Sequence, residues 1–221
     1  MTCCSATASS CSQRQRGRVS RRRAGRSGCT ARPTTTGSAR STDTAWRCSG
    51  DCFYVGRLKG TDGAIWQLTA IDIASSYAWA ELVICKQGNP TARQTSKLAE
   101  RVAKELQAAD WKLQRMLSDN GNEFRGLDFT RTLEQLGARH SRIHAGRPQT
   151  NGNIEALHKT ILDECWRPAF ARYIYPRYTG LKRELDTYLN FYNNDRVHHG
   201  RLTQGRIPAD IVYGARKMEA R

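Results

Sequence analysis

Leu113-Gln-Arg-Met-Leu117, followed by Ser118-Asp-Asn-Gly121, is the stretch on which the fold turns. Leucine and methionine space a short half-buried run, and Asp-Asn-Gly stops it, because these residues favour turns. A strand therefore ends here and carries Asp119 at its tip. Just upstream, Leu98, Val102 and Leu106 recur at helical spacing within about 91–109. Before that, Cys52–Leu58, Ile65–Ile71 and Tyr77–Cys85 are apolar runs parted by short turns, which predicts an antiparallel meander. Downstream, Phe129, Leu133 and Leu136 mark a second helix closed by Gly137, and Arg139–His144 reads as a fifth strand. Further helices are predicted at about 153–166, 179–194 and 207–213. Three meander strands followed by alternation predict an α/β fold, a mixed five-stranded sheet flanked by helices.

The chain has 221 residues, enough for one domain of about 150–170 residues and a tail. It carries 36 Lys plus Arg against 20 Asp plus Glu, a formal net charge of +16, which points to a polyanionic partner such as DNA. No run of about 18 apolar residues occurs and no apolar leader precedes the basic region, so neither a membrane span nor a secretory signal is expected. A cytoplasmic location follows. The charge is uneven: residues 1–50 hold ten Arg, one acid (Asp43) and five of the eight Cys. So few aliphatics cannot offset the entropy of ordering the backbone, and 1–50 reads as a disordered tail. The core is expected at 51–214, with 215–221 as a short C-terminal tail. With no secretory signal expected, the cysteines read as reduced thiols, and as unliganded ones, since no second ligand pair complements Cys48 and Cys52.

Three acids are placed where an element delivers them without a neighbouring base in sequence: Asp51 at the opening of the first strand, Asp119 after the fourth, and Glu155 at a helix start. If they meet at one end of the sheet, their mutual repulsion calls for cations. Two Mg²⁺ ions, or Mn²⁺, suit hard oxygen ligands and can clamp the attacking and leaving oxygens of a phosphoryl displacement. Asp72, also near a strand end, competes with Asp51 on pattern alone. Glu123 reads as a solvated charge at a helix start, and Trp166, Phe170, Tyr173 and Tyr178 as a packing stripe.

The strings Asp51-Cys-Phe-Tyr-Val-Gly-Arg-Leu58, Thr69-Ala-Ile-Asp-Ile-Ala-Ser75, Ser118-Asp-Asn-Gly-Asn-Glu-Phe124 and Gly146-Arg-Pro-Gln-Thr-Asn-Gly-Asn-Ile-Glu155 resemble the integrase catalytic core of bacterial insertion-sequence transposases. Tyr188–His199 is similar to the closing helix of that family. The resemblance implies an RNase H-like fold and a DDE triad, with Asp51, Asp119 and Glu155 as catalytic metal ligands; the 35 residues between Asp119 and Glu155 match the family's spacing. Asp72 falls, by the same resemblance, in the second strand, holding the adjoining turn through Ser75 and Ser76. The resemblance also implies metal-dependent strand cleavage and strand transfer during transposition, with two ions, and no covalent protein–DNA intermediate. Arg147, Asn151, His158 and Lys159 are then the expected DNA contacts, DNA the partner, a homo-oligomer the working state, and the bacterial nucleoid the location.

Two departures qualify the resemblance. The patternless segment Thr42-Asp-Thr-Ala-Trp-Arg-Cys-Ser-Gly50 replaces the first half of strand one, so the switch to family-like sequence falls within one residue of Asp51. That predicts an out-of-frame or truncated copy, whose upstream DNA would encode a helix-turn-helix region in another frame. Ala156 stands where related enzymes often carry a basic residue. The alternative reading is a non-catalytic DNA-binding remnant of a transposase.

Overall fold

β1 (Trp46–Gly56), β2 (Ala64–Asp72) and β3 (Ala78–Cys85) form the expected meander. α1 (Ala92–Ala108) then crosses to β4 (Leu113–Ser118), and α2 (Asn122–Arg125) with α3 (Leu127–Gln135) crosses to β5 (Arg139–Arg142). The protein, seen as a computed structural model, is described at residues 46–143 and 151–214, all within one compact unit, Ser41–Arg221. The sheet order is β3-β2-β1-β4-β5. Short turns make the β1–β2 and β2–β3 pairs antiparallel, whereas helical crossovers make β1–β4 and β4–β5 parallel. At the base of the first hairpin Gly63 lies against β3: a Cβ there would stand 2.6 Å from the Cys85 carbonyl oxygen.

Strand side chains alternate between faces, and the two faces have separate cores. On one, Cys48, Leu68, Ala70 and Met116 meet Leu98, Val102 and Leu106 of α1 and Phe129 and Leu133 of α3. On the other, Ile65, Ile71, Ala80 and Leu82 meet a long helical arm. This arm comprises α4 (Gly152–Ile161), a π-helical turn (Leu162–Trp166) and α5 (Arg167–Arg172), and α6 (Tyr178–Asn194) packs beside it. Each fully buried Leu or Ile contributes about 1.5–3 kcal/mol. Several polar groups on this second face pair with one another. Trp166 Nε1 donates to Gln67 Oε1 at 2.8 Å and Gln67 Nε2 to Thr69 Oγ1 at 2.8 Å. Asn193 bonds both backbone groups of Ala78 at 2.9 and 2.8 Å. Glu164, on the π turn, accepts from Tyr188 and pairs with Arg196, tying the arm to the end of α6. α7 (Pro208–Val212) ends the described chain, and the Val212 carbonyl accepts from Trp111 Nε1 at 2.8 Å.

The expected core boundary at 51 moves upstream. β1 begins at Trp46, and Cys48 (0% exposed) and Ser49 are buried. This half-strand reads as patternless because it is built from small residues. Cysteine buries readily, and Gly50 lies under Met116, whose Cε would be 2.8 Å from any added Cβ. The expected tail over 1–45 and the C-terminal tail at 215–221 lie outside the described residues. The helix expected at 153–166 instead changes to a π turn at Leu162 and continues to Arg172.

Candidate active site

Parallel pairing aligns the two aspartates. Gly50 is opposite Ser118 in the β1–β4 register, so the next residues, Asp51 and Asp119, stand side by side where β4 ends. Asp51 is the sixth residue of β1 rather than its first, which places it on the braced middle of a central strand. Asp119 caps its own turn, with Oδ1 accepting from the Gly121 N–H at 3.0 Å.

Glu155 is brought in by a match between two periodicities. Ser49, Asp51 and Phe53 share one face of β1 at period two, while Asn151, Glu155 and His158 share one face of α4 at i, i+4 and i+7. The outer members of the two sets touch. Ser49 Oγ donates to Asn151 Oδ1 at 2.7 Å, and the Phe53 and His158 rings lie 5.5 Å apart between centroids. The middle members, Asp51 and Glu155, therefore face the same space, with Glu155 exposed on the first turn of α4.

The electrostatics agree with this convergence. The Asp51 carboxyl is raised to about 6, by burial first and with help from the nearby charges of Asp119, Glu123 and Glu155, against the opposing Cys52 N–H, 2.8 Å from Oδ1. Four carboxylates thus act electrostatically on one another at one end of the sheet, and Asp51 forms no ion pair with an arginine or lysine among the described residues. His158 Nδ1 is 3.7 Å from Asp51 Oδ2, beyond hydrogen-bond range. Burial lowers the imidazole to about 4, so it is neutral near pH 7, and its Nε2 is buried without a partner. No three His, Cys, Asp or Glu side chains among the described residues stand close enough as placed to grip one metal ion.

Of the expected DNA contacts, Lys159 is exposed on α4, and Arg147 lies outside the described residues. Asn151 (6% exposed) and His158 (side chain 11% exposed) are corrected from surface contacts to buried groups that dock α4 on β1. Asp72 behaves as a turn anchor: fully buried, its Oδ2 accepts from the Ala74 and Ser75 N–H groups and from Ser75 Oγ at 2.7–3.1 Å. Glu123 is the residue that sequence reasoning missed. It folds back over Gly121, where an added Cβ would lie 2.6 Å from its Oε2, and its charge adds to the burial that pushes the Cys52 thiol up.

The integrase core domain family matches residues 42–148, and a second description of the same domain matches 136–203. The chain carries a retroviral-integrase-like core. That core starts upstream of Asp51, so the change from patternless to family-like sequence expected at Asp51 is displaced to residue 42 or before. Over 107 residues, 48% of the chain, the core is 30% identical to a retrovirus-related Pol polyprotein from transposon TNT 1-94 of Nicotiana tabacum, of whose length it spans only 8%. Among solved structures it resembles the catalytic core domain of BIV integrase (TM-score 0.55, 18% identity, 79% of this chain and 98% of that one). It also resembles a chain of the simian T-cell lymphotropic virus intasome solved with the PP2A regulatory subunit B56 gamma (TM-score 0.60, 15% identity, 76% and 54%). These likenesses establish the RNase H-like fold of the integrase core: a mixed five-stranded sheet with helices on both faces. No helix among the described residues is long and apolar enough to cross a membrane.

Proposed function

We infer that the integrase core is a DDE polynucleotidyl transferase of the transposase type, in which Asp51, Asp119 and Glu155 bind divalent metal for DNA strand cleavage and strand transfer. The observation that carries this reading is the double register: β1 against β4 sets Asp51 beside Asp119, and β1 against α4 turns Glu155 toward them. The donor chemistry fits Mg²⁺ or Mn²⁺, because carboxylate charges act on one another here and no arginine or lysine among the described residues forms an ion pair with Asp51. Asp51 on β1 and Asp119 just past the end of neighbouring β4 would hold the metal together with Glu155 from the first turn of α4. Bound there, two ions supply activation of a water or 3′-hydroxyl and stabilisation of the departing 3′-oxygen.

The remaining residues position and exclude. Neutral His158 packs beside Asp51 without competing as a cation, and the Ser49–Asn151 bond fixes the entry of α4. Lys159, one turn beyond Glu155, and Arg147 meet the phosphodiester backbone, as the net charge of +16 favours. A homo-oligomer, with DNA ends held by paired sites, follows from the same reading and is consistent with the intasome relative. Working at the bacterial nucleoid belongs to this proposal as well. The position of the out-of-frame junction is tested on the upstream DNA: a helix-turn-helix region in another frame supports it, and its absence in every frame rejects it.

A second reading, DNA binding without catalysis, is favoured by one observation, that the three ligands are not closed into a cluster. Plasmid nicking and strand transfer in Mg²⁺ separate the two. Wild-type activity lost on chelation and in Asp119→Asn, with salt-sensitive DNA binding retained, establishes the enzyme. Equal nicking by both proteins rejects the assigned chemistry.

A further inference from the structure

Arg47, Arg115 and Arg139 stand directly opposite one another on three adjacent strands: Arg47 pairs with Arg115 across β1 and β4, and Arg115 with Arg139 across β4 and β5. Parallel partners share a face, so the three guanidinium stems rise on the same side. Together with Lys112, Gln114 and Gly137 they line an open cleft of about 440 Å³ that contains no carboxylate. Gly137, at φ +65°, leaves room for the Lys112 ammonium, whose Nζ would be 3.3 Å from a Cβ at that position.

Like charges placed directly opposite in a sheet destabilise it. Nothing here offsets that cost. None of the four cations forms an ion pair with a described carboxylate, and Asp72, opposite Cys48, is buried on the other face. Lining residues without an apolar side chain give no grip on a peptide, so the chemistry recognised is anionic oxygen. Strand spacing puts the outer arginines about 10 Å apart, and their long flexible stems can fan out to contact up to three phosphates of a DNA strand.

Its placement adds direction. Arg47 and Asp51 share a face of β1 four residues apart, as do Arg115 and Asp119 along β4, so the ladder lies about 13 Å from the carboxylates on the same face. We propose that the Arg47–Arg115–Arg139 ladder, with Lys112, is a phosphodiester-binding site that anchors DNA at a fixed offset from the carboxylate end of the sheet. This deepens the DNA-processing reading and rests on it.

The test is duplex DNA binding across a salt series, with the full-length chain in an Asp119→Asn background so that no chemistry intervenes. Converting all three arginines to Gln should flatten the slope of log K against log salt by about 2.7 and weaken binding by roughly 10²-fold at 0.1 M salt. Arg115→Lys should keep the slope. The triple variant's melting temperature should not fall, because a repulsive ladder has been removed. An unchanged slope, or a loss of binding accompanied by a lower melting temperature, overturns the ladder. If the parent binds no DNA, the wider DNA reading fails; if it binds and only the slope is unmoved, the ladder alone fails.

Discussion

Two aspartates, half-buried Asp51 on β1 and fully buried Asp72 on β2, have carboxyl groups raised to the same value, about 6, mainly by loss of water, yet their surroundings are opposite. Asp72 is sealed at the end of β2, and its Oδ2 is filled by three donors from the turn it holds. Asp51, at 22% side-chain exposure, receives one backbone N–H and faces three further carboxylates. Burial alone therefore does not distinguish a scaffold carboxylate from a working one; the sign of the neighbours does. Donors from the turn fill the Asp72 Oδ2, although its Oδ1 is buried without a partner, whereas acids around Asp51 leave a charge deficit that an ion can fill.

Neutralising each acid should separate these roles most sharply in catalysis. Asp119→Asn or Asp51→Asn is expected to lower Mg²⁺-dependent nicking by at least about 10²–10³-fold, the scale of losing one preorganised electrostatic group. Single-turnover assays on supercoiled plasmid check it. Asp72→Ala should do the reverse. It leaves the turn donors of Ser75 and Ala74 without an acceptor and costs about 2–4 kcal/mol in denaturant unfolding, while nicking per folded molecule persists. If Asp72→Ala removed activity without loss of stability, the comparison would break.

A finer test lies between the two regions, where α4 docks. Asn151→Ala removes the acceptor of the Ser49 hydroxyl, and the expected cost is about 1–3 kcal/mol, with a larger proportional loss of nicking because Glu155 loses its register. Thermal unfolding and plasmid assays on one preparation show whether the two losses differ. The smallest effect belongs to Lys159→Ala, which should reduce the salt slope of DNA binding by about one and leave stability unchanged.

Much of this was legible in sequence, for reasons that differ by element. Leu98, Val102 and Leu106 announced α1 because all three face one core, and Asp-Asn-Gly marked the end of β4 because a turn needs those residues. Trp166 and Tyr178 proved to be packing residues as expected, one buried against Gln67 and the other bonded to the Leu82 carbonyl at 2.6 Å. The start of β1 was hidden because Cys48, Ser49 and Gly50 bury without large apolar side chains. Asn151 and His158 read as polar surface, since only the β1–α4 contact reveals that they point inward. The arginine ladder was invisible for a similar reason: its members are 68 and 24 residues apart in the chain and meet only through strand pairing.

The pH behaviour of Asp51 carries the central claim. In metal-free protein its folded pKa lies above the usual carboxylate value, so the folded state holds the proton more tightly than the unfolded chain. Stability should therefore fall as pH rises from about 4 to about 6 and level off above it, by at most about 3 kcal/mol from this group. The most direct measurement is the ¹³C titration of the Asp51 carboxyl with and without saturating Mg²⁺. A midpoint near 6 that drops by more than a unit when Mg²⁺ is added, and does not drop in Asp119→Asn, is the predicted result. A midpoint that Mg²⁺ leaves unmoved in the wild-type chain would contradict the claim that these carboxylates form one cation-binding site.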